Sequence, residues 1–308
     1  MARSTIEAWL PEEPTSEPIR IVSQTSAIEA LAKPIPMTTA TKSVPRSGDV
    51  DVEVVPKGSA YGEDDGEVDE VVLKARKFGK VIRLAEEDID DSIVDVINDK
   101  KIGWATSYAK ALDNACLAVT AAENGTTIPF TSVYRALSQN DSATGYTANS
   151  NIIKTAAGAA VSYANLRAVV AAFEDTDYFD ESRGVIIAHT SFRDALRGVV
   201  DGQGRPMFVE NPRGTEPDTL FGYPIRFSRG AKTSAVATPR PTGNPIMVLA
   251  NRDLLLLGRR SGPESVVIDG RSGASALTDE TLLKMRSRRG FVLGHQEGAV
   301  ILEVVPAA

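Results

Sequence analysis

Six prolines, Pro11, Pro14, Pro18, Pro34, Pro36 and Pro45, punctuate the first 45 residues. Proline removes a backbone donor and drives the residue before it out of helical space, so no long helix fits here. One short helical turn is expected at "SAIEALA", residues 26 to 32. A disordered tail is the simplest reading of residues 1 to 48. A purely solvating tail, however, needs no scattered Ile6, Trp9, Leu10, Ile19, Ile21 and Val22. These favour an extended arm that orders against a neighbouring chain, with Trp9 as a contact residue.

Residues 49 to 85 read as a long hairpin. "DVDVEVV" at 49 to 55 alternates in period two, with Val50, Val52 and Val54 on one face, and "EVDEVVLKARKFGKVIRL" is the return strand. The connecting tip is Gly-rich and acidic. Charge is segregated: Glu63, Asp64, Asp65, Glu67, Asp69 and Glu70 precede Lys74, Arg76, Lys77, Lys80 and Arg83. A hairpin this polar is poorly stable alone. It is expected to protrude and lie on a neighbouring chain, where split charge sets register and partner choice. A solvated hairpin on its own domain is the alternative. The acidic run lacks the D-x-D-x-D-G spacing and distal Glu of a calcium loop.

Residues 86 to 124 read as helix in two pieces, with Gly103 as the break and "ENG" as the end. Trp104, Tyr108, Leu112, Ala115, Cys116 and Val119 form one stripe at steps of three and four. Low-pattern loops follow. From 162 come an amphipathic helix capped by Ser162, the strand "GVIIAH", a helix capped by Thr190 or Ser191, the turn "DGQGRPMF" and the strand "YPIRFS". "PIMVLA", "LLLLG" and "SVVI" are further strands. Residues 125 to 275 thus form a mixed α/β domain. "TLLKMRSRRGFVLG" and "AVILEVV" read as antiparallel partners beside the long helix. Residues 276 to 308 therefore share a domain with 86 to 124, and the α/β domain is inserted between them.

Little of this can carry catalysis. There are two histidines and one cysteine, so a disulfide within the chain and a Cys-rich zinc site are excluded, and no cofactor is expected. His189, Ser191 and Asp194 lie too close along the chain to make a triad, and there is no G-x-S-x-G elbow. A small α/β hydrolase using Ser191 and His189 is the remote alternative. The net charge of −7 argues against a global basic field for nucleic acid. Arg286, Arg288 and Arg289 make a local basic stretch that could face an acidic hairpin or packaged nucleic acid. No signal peptide or apolar run of spanning length is seen, so the chain reads as soluble and intracellular.

The order of parts, together with "TSFRDALRGVVDGQGRPMF" and "TLFGYPIRFS", resembles the tailed-bacteriophage major capsid proteins of the Hong Kong 97-type fold, an α+β class. The likeness runs over nearly the whole chain. It implies an N-terminal arm (1–48), an extended hairpin loop (49–85), a peripheral domain with a spine helix (86–124 and 276–308) and an axial domain (125–275). It also implies a virion shell subunit, not an enzyme. Pentamers and hexamers would assemble in the host cytoplasm and close around double-stranded DNA, with scaffold, portal and decoration proteins as further partners and no membrane. An encapsulin-type bacterial nanocompartment is the alternative within the fold.

Contacts between subunits are expected at Trp9, Lys57, Glu63, Asp64, Asp65, Glu67, Lys74, Arg76, Lys77, Arg286, Arg288 and Arg289. A structural turn is expected at Gly222, Tyr223 and Pro224. Some family members join a hairpin Lys to a late Asn. Lys57 and Lys74 are present here but no Asn follows Asn251, so no such bond is expected. The Pro-rich start argues against a long fused scaffolding segment.

Overall fold

The computed structural model describes residues 23–307 except 49, 51, 64–67, 93–94, 201–203, 205–207, 209–217 and 269–278. In chain order the elements are α1 (Ala27–Leu31), β1 (Lys33–Pro36), β2 (Thr41–Ser47), β3 (Val68–Lys74), β4 (Arg76–Ala85), α2 (Glu86–Asp90), α3 (Val96–Leu117), α4 (Val133–Leu137), β5 (Ile152–Lys154), α5 (Tyr163–Glu174), β6 (Gly184–Ala188), α6 (Phe192–Gly198), β7 (Thr219–Leu220), β8 (Tyr223–Phe227), β9 (Ile246–Asn251), β10 (Leu255–Ile268), β11 (Glu280–Leu293) and β12 (Ala299–Glu303).

Two sheets share one helix. A six-stranded sheet runs β5-β12-β9-β6-β8-β7 and a four-stranded sheet runs β1-β10-β11-β4. Strands β6 and β12 are buried at every position, as continuous apolar runs must be when both faces are covered. Alternate residues divide between two cores. Val185, Ile187, Val248 and Ile301 pack with α3 and α4, and with Leu255, Leu257, Phe291 and Leu293 of the four-stranded sheet. Ile186, Ala188, Leu249 and Val300 pack on the other side with Leu166, Val169 and Phe173 of α5 and Leu196 of α6. Helix α3 is therefore the spine that both sheets lean on. Cys116 is fully buried on it, as a small apolar residue. At α5, Ser162 and Asn165 form a reciprocal capping box.

Several elements differ from the sequence reading. The strand that pairs with β3 is Thr41–Ser47, not 49–55. Alternation alone does not choose a partner, and β2 reaches a seven-residue register first. The return strand divides at Ala75, whose N–H bonds the Ala40 carbonyl at 2.7 Å. Beyond that point β4 joins β11 instead. β11 and β12 are not partners: β11 lies between β10 and β4, whereas β12 lies between β5 and β9. "LLLLG" and "SVVI" are one strand, β10, paired with β11 and outside the six-stranded sheet. The helix break falls at 91–95, and α3 runs through exposed Gly103, ending at Leu117 rather than at "ENG". Asn124 turns that loop instead, its Oδ1 accepting from the N–H groups of Thr126, Thr127 and Ile128.

Candidate functional site

The arm is fastened to the spine through a buried carboxylate. Asp113 of α3 is fully buried. Its Oδ1 accepts from Ser26 Oγ (2.5 Å) and the Ile28 amide (3.2 Å), and its Oδ2 from the Ala27 amide (3.0 Å) and Ser228 Oγ (2.5 Å). Helix α1 thus points its unsatisfied N-terminal amides at a carboxylate, the favourable sense for a helix dipole. Burial raises the Asp113 carboxyl above its ordinary range, and the four hydrogen bonds oppose that rise. Glu29 makes a second tie. Arg289 Nε donates to Glu29 Oε1 at 2.7 Å, and Arg259 Nη2 donates to the Glu29 carbonyl at 2.9 Å. β1 then runs parallel to β10.

The hairpin is held only at its root. Arg46 of β2 forks onto Asp69 of β3, Nε to Oδ1 at 2.5 Å and Nη2 to Oδ2. A third nitrogen, Nη1, reaches the Gly294 carbonyl at 3.1 Å. This fork holds the Asp69 carboxyl below its usual range. On the other side Arg76 Nη2 bonds Glu123 at 2.7 Å, with Lys74 at 3.7 Å. Outward from the root the chain meets no core. Val52 and Val54 are 96% exposed and Tyr61 is 85% exposed.

The expected contact residues fall into distinct settings. Lys57 and Glu63 lie exposed on the tip, and Lys74 and Lys77 are exposed beside it. Arg288 is exposed on β11, and Arg286 is exposed and bonds Glu264 at 2.9 Å. Arg289 is buried and serves the arm of its own chain. Arg76 likewise engages Glu123. Trp9, Asp64, Asp65 and Glu67 lie outside the described residues, as does most of "DGQGRPMF". Asp113 and Arg46 went unnoticed in the sequence. Lone charges on an amphipathic helix and a polar strand carry no local signal, and only the fold brings their partners to them.

The Gly222 turn joins β7 and β8 as a two-residue hairpin, Leu220 paired with Tyr223. Phe221 (φ +51°) and Gly222 (φ +88°) both adopt positive φ, the pattern of a type I′ turn. Tyr223 and Ile225 are buried on one face, and Tyr223 donates to Glu174 at 3.0 Å. Burial pushes the Tyr223 hydroxyl up to about 12. β8 ends at Ser228, which closes on Asp113.

His189 and Ser191 do touch. Nδ1 accepts the Ser191 backbone N–H at 3.1 Å and lies 2.8 Å from its hydroxyl. Nδ1 is therefore unprotonated and Nε2 carries the hydrogen. Burial, with Lys232 and Arg229 nearby, lowers the ring to about 4. Neither Thr190 nor Ser191 caps α6 through its side chain, contrary to the sequence reading; the imidazole takes the Ser191 amide instead. Among the described residues no cluster of three or more His, Cys, Asp or Glu could hold a metal ion, and no helix is long and apolar enough to cross a membrane.

Two sheets on one spine helix, with a clasped arm and a protruding hairpin, form a known architecture. The chain superposes on "Capsid of native GTA particle" with a TM-score of 0.72 and 17% identity, covering 98% of this chain and 99% of that one. A chain from Mycobacterium phage Ogopogo gives 0.72 and 16%, covering 99% and 100%, and one from Mycobacterium phage Bobi gives 0.71 and 16%, covering 98% and 97%. The fold is thus the Hong Kong 97-type shell fold. No curated protein matches the chain. The chain belongs to the phage capsid family, whose model matches residues 8–304, and is a structural protein of the capsid.

Proposed function

We propose that copies of this chain assemble as pentamers and hexamers and close into an icosahedral head around double-stranded DNA, in the host cytoplasm and without turnover. The observation that carries this reading is the hairpin tip, with Val52, Val54 and Tyr61 almost wholly exposed beyond a root fixed by Arg46. An apolar, projecting segment of this kind needs a second surface to cover it. Contacts that are heterologous and close by rotation provide one. The domain reading goes with it. Residues near α5, α6 and the Gly222 turn gather at the capsomer axis, and the four-stranded sheet with α3 forms the periphery. The net charge of −7 suits a shell that releases its genome. A separate scaffold, a portal and decoration proteins are the expected partners.

The test is nuclease digestion of purified particles followed by extraction. Protected double-stranded DNA is expected. Particles that enclose only protein would overturn the genome reading and favour a nanocompartment.

A further inference from the structure

Two incomplete features of the chain complement each other. The first is the outer edge of β4. It terminates the four-stranded sheet, so among the described residues its outward N–H and C=O groups have no strand partner. A cleft of about 840 Å³ opens between this edge and α3. Its walls are Phe78 and Ile82 of β4 and Trp104 and Tyr108 of α3, the latter two stacked at 5.2 Å. Lys80, Lys110 and Arg240 line it as well, and among the described residues none of them makes an ion pair. Crowding of cations is felt inside the cleft: burial, Arg229 and Arg240 lower the Lys110 ammonium.

The second feature is "DVDVEVV", residues 49 to 55. Its period-two pattern and β-branched residues are those of a strand. Yet none of its described residues is in a strand, and Val50, Val52 and Val54 are 64%, 96% and 96% exposed. Asp49, Asp51 and Glu53 alternate with the valines, and no basic residue interrupts them. A strand without a partner and an edge without a strand match in backbone, in apolar face and in sign of charge. The cations of β4 also discourage pairing between two copies of that edge, since like charges repel.

We propose that residues 50–55 of one copy add as a strand to the outer edge of β4 of another, with the valines in the cleft against Trp104 and Tyr108. Main-chain hydrogen bonds give the affinity, and the valines with the acid–base alternation give the register. The proposal rests on the shell reading and specifies how the hairpin is covered.

Two measurements on full-length protein test it. Hydrogen exchange of the parent chain, assembled against unassembled, should show protection gained at every second amide of Arg76–Ala85. Unchanged exchange along β4 in intact particles would overturn the proposal. A photo-cross-linker in place of Val54, in particles grown from equal heavy- and light-isotope chains, should join peptides containing Phe78–Ile82 or Trp104–Tyr108. About half of those joined pairs should be heavy–light. Cross-links to any other region, or only between like isotopes, would overturn it. Micrographs of the same samples separate the two readings. Intact particles with the wrong cross-links leave the shell standing, whereas a parent chain that never forms particles removes both.

Discussion

Replacing Asp113 by Ala removes the acceptor for four donors at once. The hydroxyls of Ser26 and Ser228 can rotate to other partners. The amides of Ala27 and Ile28 cannot, because the helix fixes them. Each buried amide left unpaired costs about 1–3 kcal/mol. Relief of the desolvated carboxylate offsets part of this, which leaves a loss of roughly 3 kcal/mol. That is a fraction of the 5–15 kcal/mol typical of a folded domain, so the subunit still folds. The loss is local: α1 detaches from α3 while both sheets remain. At about 1.4 kcal/mol per decade, exchange of the Ala27 and Ile28 amides should accelerate by about a hundredfold. A protease should then cut near residues 23–32 before it cuts elsewhere. Hydrogen exchange and limited proteolysis of the unassembled subunit make the measurement. Exchange at those two amides within threefold of the parent would refute the clasp.

Other outcomes follow from the same geometry. His189 sits at about 4 in the fold, below its ordinary value, so its contribution is full above the unfolded pKa of about 6.5 and is lost as pH falls from there towards 4, by at most roughly 3 kcal/mol. His189→Gln should flatten the urea-midpoint profile across that window, and an unchanged slope would remove the imidazole from the account. Gly222→Ala meets no atom within 4 Å but keeps φ at +88°, so it should destabilise by about 1 kcal/mol through backbone strain alone; a stabilised variant would contradict the turn assignment. Denaturing gels of mature particles should show a single monomer band, since no Asn follows Asn251 to accept a lysine; covalent ladders would contradict this.

The sequence was most legible where a physical rule acts locally. The capping box at Ser162, the buried run "GVIIA" and the apolar stripe of α3 follow from side-chain period and hydrogen-bonding groups, and each took its expected form. Pairing was less legible. A central strand such as β12 carries the same apolar run whichever strand lies beside it, so its partners β5 and β9 could not be read from its residues. The alternating valines at 50–54 mark a strand, but the single chain contains no edge that takes it. The candidate site was hidden for a related reason. Asp113 meets Ser26 and Ser228 across separations of 87 and 115 residues, and Arg46 meets Gly294 across 248. Residue type alone predicts none of these meetings.

The central claim is that this chain exists to meet copies of itself. Electron microscopy of the purified full-length protein under assembly conditions tests it most directly. The account predicts closed shells of uniform size with five- and six-fold capsomers. A field of monomers under every condition of salt, pH and concentration would contradict it.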